Sequence, residues 1–123
     1  MTLTRKAVEK KWNTSPSWTR DEWISEVVFN QPVREVPWIG KYVRNEKTGN
    51  EYILPSYSTE ISAAWEVVEK LRIAVTPQSI GAPEELSYMA EYENAPYVEL
   101  KRVFAKTAQE AICKCALLAV LNL

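Results

Sequence analysis

Apolar residues recur at three- and four-residue steps along residues 57–72, and this pattern predicts an amphipathic helix. Ser58 or Thr59 can cap the free amides at its start, and Glu60 lies at the positive end of the helix dipole. Trp65 lies within the apolar stripe, so we expect its ring to pack in the core. The residues predicted to form the buried face are Ile61, Ala64, Trp65, Val68 and Leu71.

A second helix is predicted to begin near Thr19. Thr19 and Glu22 have the spacing of a capping box, in which each side chain accepts a hydrogen bond from a backbone amide at the helix start. Trp18 occupies the position of a hydrophobic staple, and Trp23 belongs to the predicted buried face. We therefore expect both rings to be structural.

The pattern at the two ends of the chain predicts one strongly buried helix and one exposed segment. Residues 108–121, which follow Thr107, are apolar on almost every side, so this helix is expected to be the most buried. Residues 1–17 are basic, and the pattern fits either a mobile arm or a short helix over residues 4–12. Apolar surface left on the last helix suggests that the protein forms a homo-oligomer.

The remaining apolar runs have the composition of strands. A β-hairpin with Gly49 in its turn is predicted for residues 41–45 and 50–54. A single strand is predicted for residues 73–76. A second hairpin, after a loop, is predicted for residues 86–92 and 97–104. The predicted fold class is therefore α+β. We expect a mainly antiparallel sheet with helices packed on it, in a three-layer α/β/α-type sandwich.

Length and composition fit a single domain over residues 1–123, because this chain length suits one core. The longest apolar run, residues 115–121, is too short to cross a bilayer, which needs about 20 residues. The N-terminal residues lack the apolar block of a secretory signal. We therefore expect no membrane association and a location in the cytoplasm of a host cell.

The residue types present exclude several kinds of chemistry. The chain has no histidine, which removes the histidine-based triads and the usual Cys–His zinc sites. Cys113 and Cys115 are two apart in a helical pattern, so they cannot bond to each other and are expected to be reduced. Residues 1–47 carry a net charge of +3 and residues 48–123 a net charge of −4, an asymmetry too modest for a nucleic-acid footprint. We expect no catalytic residues, cofactor or metal.

Four residues are candidates for ligand binding. Trp38 precedes the first strand of the first hairpin, and Tyr42 and Arg44 alternate along that strand on one face. Arg102, in a later strand, adds positive charge. An aromatic ring beside a guanidinium suits a ligand with a base and a phosphate, although ordinary surface residues of a sheet have the same pattern.

Two segments of the chain contain the sequences Tyr57-Ser-Thr-Glu60, followed by Ala63-Ala-Trp65, and Ala111-Ile-Cys113 near the C-terminus. These segments resemble the phage ABA sandwich domain, a family found in phages and prophages of Bacillus and related hosts. Members of the family are largely uncharacterised, so the resemblance implies a fold and no catalytic residues. Residues 76–96 depart from the family pattern, with three prolines and several acidic residues.

The resemblance leads to a first hypothesis of a non-catalytic phage accessory protein that acts by binding. Such a protein would block a host defence by capturing a nucleotide signal or a host defence protein. An alternative is a small metal-dependent hydrolase or nuclease that uses the carboxylates of Glu84, Glu91 and Glu93. A second alternative is a nucleic-acid-binding helper of phage replication, which the charge balance disfavours.

Overall fold

The computed structural model describes residues 4–37, 40–44, 49, 51–93 and 100–123. None of the helices in these ranges is long and apolar enough to span a membrane. A short 3₁₀ helix, Glu84–Leu86, precedes the fifth strand. The helices and strands, in chain order, are α1 (Arg5–Thr14), α2 (Ser17–Val27), β1 (Val33–Val36), β2 (Gly40–Arg44), β3 (Glu51–Ile53), α3 (Ile61–Leu71), β4 (Ala74–Pro77), β5 (Tyr88–Glu93), β6 (Leu100–Ala105) and α4 (Ala108–Leu121).

The strands form two three-stranded antiparallel sheets, β1-β2-β3 and β4-β5-β6. The α+β fold class, the first hairpin (β2 and β3), the strand after α3 (β4) and the second hairpin (β5 and β6) are confirmed. The sequence pattern suggested one sheet, whereas consecutive strands pair into two. The division falls where α3 separates β3 from β4, because short connections pair neighbouring strands before distant ones.

Helix α4 is the most buried of the described helices, as predicted, and it lies at the centre of the core. It packs against β5 and β6 on one side and against α3, α2 and α1 on others. Its N-terminus is capped by Thr107, whose side chain accepts a hydrogen bond from the backbone N–H of Glu110, and its C-terminus ends at Asn122 in the left-handed conformation. Its buried residues are Ala111, Ile112, Cys113, Cys115, Ala116, Leu117 and Leu118.

The predicted start and burial of α3 are partly wrong. The helix begins at Ile61 after Glu60, with no side-chain cap from Ser58 or Thr59. It buries Ala64, Val67 and Val68, whereas Trp65 is 48% exposed and Ile61 is 49% exposed. The reason is that α3 contacts α4 through its small and β-branched side chains, and this turns Trp65, one residue beyond Ala64, toward solvent.

The predicted capping box and staple of α2 are also wrong. The helix begins at Ser17 after Pro16, which has an extended backbone and provides no side-chain cap. Glu22 forms an ion pair with Lys41 of β2 instead of bonding back to the helix start. Trp18 is 56% exposed, so it is not a buried staple, whereas Trp23 is buried as expected.

Residues 57–60 are held by side chains from α2 and α4. One carboxylate oxygen of the buried Asp21 accepts two hydrogen bonds from Ser58. The backbone N–H of Ser58 donates at 2.8 Å, and the hydroxyl of Ser58 donates at 2.7 Å. The thiol of Cys113 donates to the carbonyl of Tyr57 at 3.2 Å, and the Gln109 amide donates to the carbonyl of Thr59 at 3.0 Å. We call these four contacts the α2–α4 junction. It connects the two segments that carry the family resemblance.

The basic N-terminal segment contains the helix α1, which docks on the core. Val8 and Trp12 are buried, and α1 contacts α4. Arg5 donates a hydrogen bond from its guanidinium to the backbone carbonyl of Arg102 in β6 at 2.7 Å. The segment was predicted to be either a mobile arm or a short helix, and the structure shows a helix at Arg5–Thr14.

Asp21→Ala should lower the free energy of unfolding by about 2–4 kcal/mol, because it leaves the N–H and the hydroxyl of Ser58 buried without an acceptor. Asp21→Asn keeps an acceptor oxygen and should cost about 1 kcal/mol or less. Glu26→Ala, at an exposed position on the same helix, is the matched control and should change stability by no more than about 0.5 kcal/mol. Urea unfolding measures all three. Equal losses for Asp21→Ala and Glu26→Ala would contradict the role of the junction.

The stability of the junction should depend on pH. Burial raises the pKa of the Asp21 carboxyl above its ordinary value of 3.8, and the hydrogen bonds from Ser58 partly oppose this effect. The folded chain then holds this proton more tightly than the unfolded chain, so the contribution of Asp21 to the free energy of unfolding falls as pH rises through the raised pKa. The stability of the wild type minus that of Asp21→Asn should therefore decrease as pH rises above the ordinary carboxyl value of 3.8. Urea unfolding at several pH values measures this difference in stability. A difference that increases with pH would show that burial is not the dominant influence on the pKa of Asp21.

Candidate functional site

A groove of about 430 Å³ lies beside the N-terminal half of α4, and three parts of the chain besides α4 contribute to its walls. One wall is the end of β6 and the residue that follows it, a second comes from α1 and α2, and a third from the 3₁₀ helix before β5. Most of the side chains are polar or charged. The residues that line the groove are Asn13, Arg20, Glu85, Phe104, Ala105, Lys106, Glu110 and Lys114.

Arg20 is fixed in the groove by three contacts. Its Nε donates to the carbonyl oxygen of Trp12 at 2.8 Å, and one terminal nitrogen lies 3.3 Å from a carboxylate oxygen of Glu110. The guanidinium also lies 4.7 Å from the centroid of the Trp12 ring. These contacts hold the cation in one orientation, and Glu110 neutralises part of its charge.

Two lysines provide positive charge that no protein carboxylate neutralises within the described residues. Lys106 is exposed immediately before the N-cap of α4, and Lys114 is half-buried two turns further along the helix. Glu85, on the opposite wall, contributes the second carboxylate of the groove. Phe104, 36% exposed, adds an aromatic ring. Two mobile ammonium groups beside an aromatic ring are suited to a small anion that carries a flat ring system.

The four residues proposed from the sequence do not form a single cluster. Trp38 lies outside the described residues. Tyr42 and Arg44 lie two residues apart on β2 of the first sheet, whereas Arg102 lies on β6 of the second sheet. There the guanidinium of Arg102 lies 3.0 Å from the carboxylate of Glu91 in the adjacent strand.

Tyr42 lines a second, smaller pocket of about 270 Å³ at the first sheet. Its mouth carries Arg34 and Glu51, whose charged groups are 3.6 Å apart, and the other walls are Pro32 and Val33. This pocket is mainly apolar, and its one guanidinium already has a carboxylate partner. It is therefore less suited to an anionic ligand than the groove beside α4.

The acidic residues of the hydrolase hypothesis lie in two elements, with Glu84 in the 3₁₀ helix and Glu91 and Glu93 in β5. Glu84 begins the 3₁₀ helix, Glu91 is in β5 and pairs with Arg102, and Glu93 ends β5. Across the ranges that the structure describes, no three side chains of His, Cys, Asp or Glu are grouped so that they could hold a metal ion.

The groove residues were missed in the sequence because they come from distant segments. One signal was present, however. Glu110 and Lys114, which are four residues apart, interrupt an otherwise apolar helix, so they mark the side of α4 that does not face the core. Lys106 and Arg20 have no comparable signal, because isolated basic residues are common on surfaces.

Comparison with known proteins identifies the family. The family model described as the phage ABA sandwich domain matches residues 10–117. The chain belongs to this family. A similar solved structure is that of a phage protein from Bacillus cereus, with 27% sequence identity and a TM-score of 0.64 over 85% of this chain and 92% of that chain. No curated protein matches.

The two segments that resemble the phage ABA sandwich domain have structural roles in this chain. Tyr57 is 1% exposed, and its carbonyl binds the thiol of Cys113. Burial raises the pKa of Cys113 and raises that of Cys115 to about 12, so both side chains are neutral thiols near pH 7. A neutral, buried thiol is a hydrogen-bond donor rather than a nucleophile.

Both cysteines should therefore resist alkylation while the protein is folded. We expect no modification by iodoacetamide at about pH 8, and one added group on each cysteine in guanidinium chloride, measured by intact mass. Rapid modification of the folded protein at Cys113 would show that the junction opens readily, and would contradict a permanently buried thiol.

Proposed function

We propose that this phage protein acts by binding, and that it captures a small phosphate-bearing anion of the nucleotide class in the groove beside α4. The observation that carries the proposal is that Lys106 and Lys114 face a groove of about 430 Å³ that also contains an aromatic ring. This volume is within the range of about 300–1,000 Å³ that is usual for small-ligand sites.

The side chains of the groove have distinct roles in this proposal. The ammonium groups of Lys106 and Lys114 bind phosphate oxygens, and the ring of Phe104 provides a face for a base. Arg20 provides a third cation, already oriented by Trp12 and Glu110. Glu85 repels excess negative charge, which favours ligands with one compact phosphate group over long polyanions.

The biological role that follows is sequestration. A phage benefits from removing a nucleotide signal that a host uses to activate a defence, and stoichiometric capture requires a pocket and no catalytic group. The family assignment and the groove support this role together. We place the activity in the host cytoplasm, where such a signal is made.

The proposal can be tested by thermal unfolding with a panel of cyclic, linear and ordinary nucleotides. A ligand at about 100 times its dissociation constant adds about 2.7 kcal/mol to the free energy of unfolding, which raises the melting temperature by several degrees. We expect a selective shift for one class of nucleotide. Unchanged nucleotide, recovered after incubation with and without Mg²⁺, distinguishes capture from the metal-dependent hydrolase.

Lysine variants locate the ligand. Lys114→Gln should weaken binding about 10-fold or more, because it removes a charge-assisted hydrogen bond worth about 1.5–3 kcal/mol. Lys6→Gln is the matched control, since Lys6 is exposed on α1 and does not line the groove. The proposal fails if no nucleotide raises the melting temperature. A shift that survives Lys114→Gln and Lys106→Gln, and is lost on changing Tyr42, would move the site to the first sheet.

A further inference from the structure

Three tryptophans of this chain each have a cation over the ring. The ammonium of Lys11 lies 4.2 Å from the ring centroid of Trp23, and the ammonium of Lys41 lies 4.5 Å from that of Trp18. The third contact is that of Arg20 with Trp12, described above. Each contact joins two different elements, α1 and α2 in two cases and α2 and β2 in the third, so in this molecule a tryptophan ring is a docking point for a basic side chain.

The contact at Trp18 involves a carboxylate as well. Glu22 lies four residues after Trp18 on α2, so the two side chains are neighbours on the helix surface. Lys41, from β2, lies over the ring of Trp18 and forms an ion pair with Glu22. A tryptophan followed four residues later by a glutamate thus forms a site for a lysine from another element.

Helix α3 has the same pair of residues without the lysine. Trp65 and Glu69 are four residues apart, both exposed, and the Trp65 ring has nearly the same exposure as that of Trp18, 48% against 56%. Among the tryptophans that the structure describes, Trp65 is the one with no cation over its ring. Lys70, the nearest basic residue in the helix, lies over Phe29 at 5.7 Å.

An apolar side chain lies next to this pair. Ile61 is four residues before Trp65 and 49% exposed, so Ile61, Trp65 and Glu69 form one row along α3. Glu66 adds a second carboxylate beside the row, and Arg72 follows the end of the helix. The row would suit a segment that carries a lysine next to an apolar residue.

A second copy of the chain does not provide such a segment among the described residues. Its exposed basic helix, α1, offers Lys6 and Lys10, but the large apolar residues of that helix, Val8 and Trp12, are buried against its own core. Lys11, Lys41 and Lys70 already lie over aromatic rings within the molecule, and Lys101 is buried. Lys106 and Lys114 line the groove beside α4, with Phe104 beside them. These positions favour a segment of another protein as the occupant.

We propose that the row Ile61, Trp65 and Glu69 is a docking surface for a basic, amphipathic segment of a partner protein, which places a lysine between the ring of Trp65 and the carboxylate of Glu69. The segment's neighbouring apolar side chain packs on Ile61. This site is separate from the groove beside α4, so the two proposals stand or fall independently.

A synthetic helical peptide of leucine and lysine is a suitable probe, and the same peptide with acetylated lysines is its control. We expect the indole N–H resonance of Trp65 to shift on titration with the first peptide and not with the second. Glu69→Gln should weaken binding by about 3- to 10-fold, because it removes one partner of the lysine. Glu26→Gln removes the same charge from an exposed position on α2 and should change the affinity less than about two-fold.

The other outcomes overturn the proposal. Equal weakening by Glu69→Gln and Glu26→Gln would mean that the peptide responds only to net charge. A shift of the Trp65 resonance that depends on the concentration of the protein alone would mean that a second copy covers the row. Binding that leaves the Trp65 resonance unchanged would place the peptide elsewhere on the protein.

The melting temperatures of Glu69→Gln and Glu26→Gln are the control for folding. Values equal to that of the wild type would confirm that both variants remain folded.

Discussion

The course of residues 57–60 depends on one buried carboxylate, that of Asp21. Its two hydrogen bonds to Ser58 fix the chain before α3, and the thiol of Cys113 and the amide of Gln109 fix it from the side of α4. A buried carboxylate without such partners would be strongly unfavourable, so the position of Ser58 is tightly specified. Arg20 is adjacent to Asp21 on α2, and Glu110 is adjacent to Gln109 on α4. The junction therefore also brings together Arg20 and Glu110, which form the ion pair in the groove.

The parts of the fold that the sequence predicted are those where local and tertiary preferences agree. Helix α4 is apolar on almost every side, begins at a capping threonine and lies in the middle of the core. Its local sequence and its tertiary contacts therefore both favour a helix at residues 108–121. The two hairpins are predicted correctly because the strands of each pair are close in sequence, so local strand preference and tertiary pairing agree. The predicted start of α3 is wrong because the hydroxyl of Ser58, a possible cap, bonds to Asp21 instead. Helical periodicity gives the spacing of an apolar stripe but not the direction in which the helix is turned, so the predicted burial of Trp65 is also wrong.

The candidate site could not be predicted in the same way. A groove whose walls include Asn13, Arg20, Phe104 and Lys114 depends on how α1, α2, β6 and α4 pack, and no local pattern records that packing. The prediction that Arg102 adds positive charge beside Tyr42 and Arg44 requires the two strands to lie in one sheet. The strands lie in two separate sheets, and alternation along a strand relates only residues of that strand.

The segments that carry the family resemblance contain buried groups that hold the fold and exposed side chains that do not. The segments that identify the phage ABA sandwich domain meet at the α2–α4 junction, where Ser58 bonds to Asp21 of α2 and Tyr57 bonds to Cys113, all buried. Groups used in this way are not available to a ligand. The two proposals therefore use side chains outside those segments, such as Lys106, or on their exposed faces, such as Trp65 and Glu69. A fold held by buried contacts leaves its exposed residues free to differ, because a fold does not by itself determine a function.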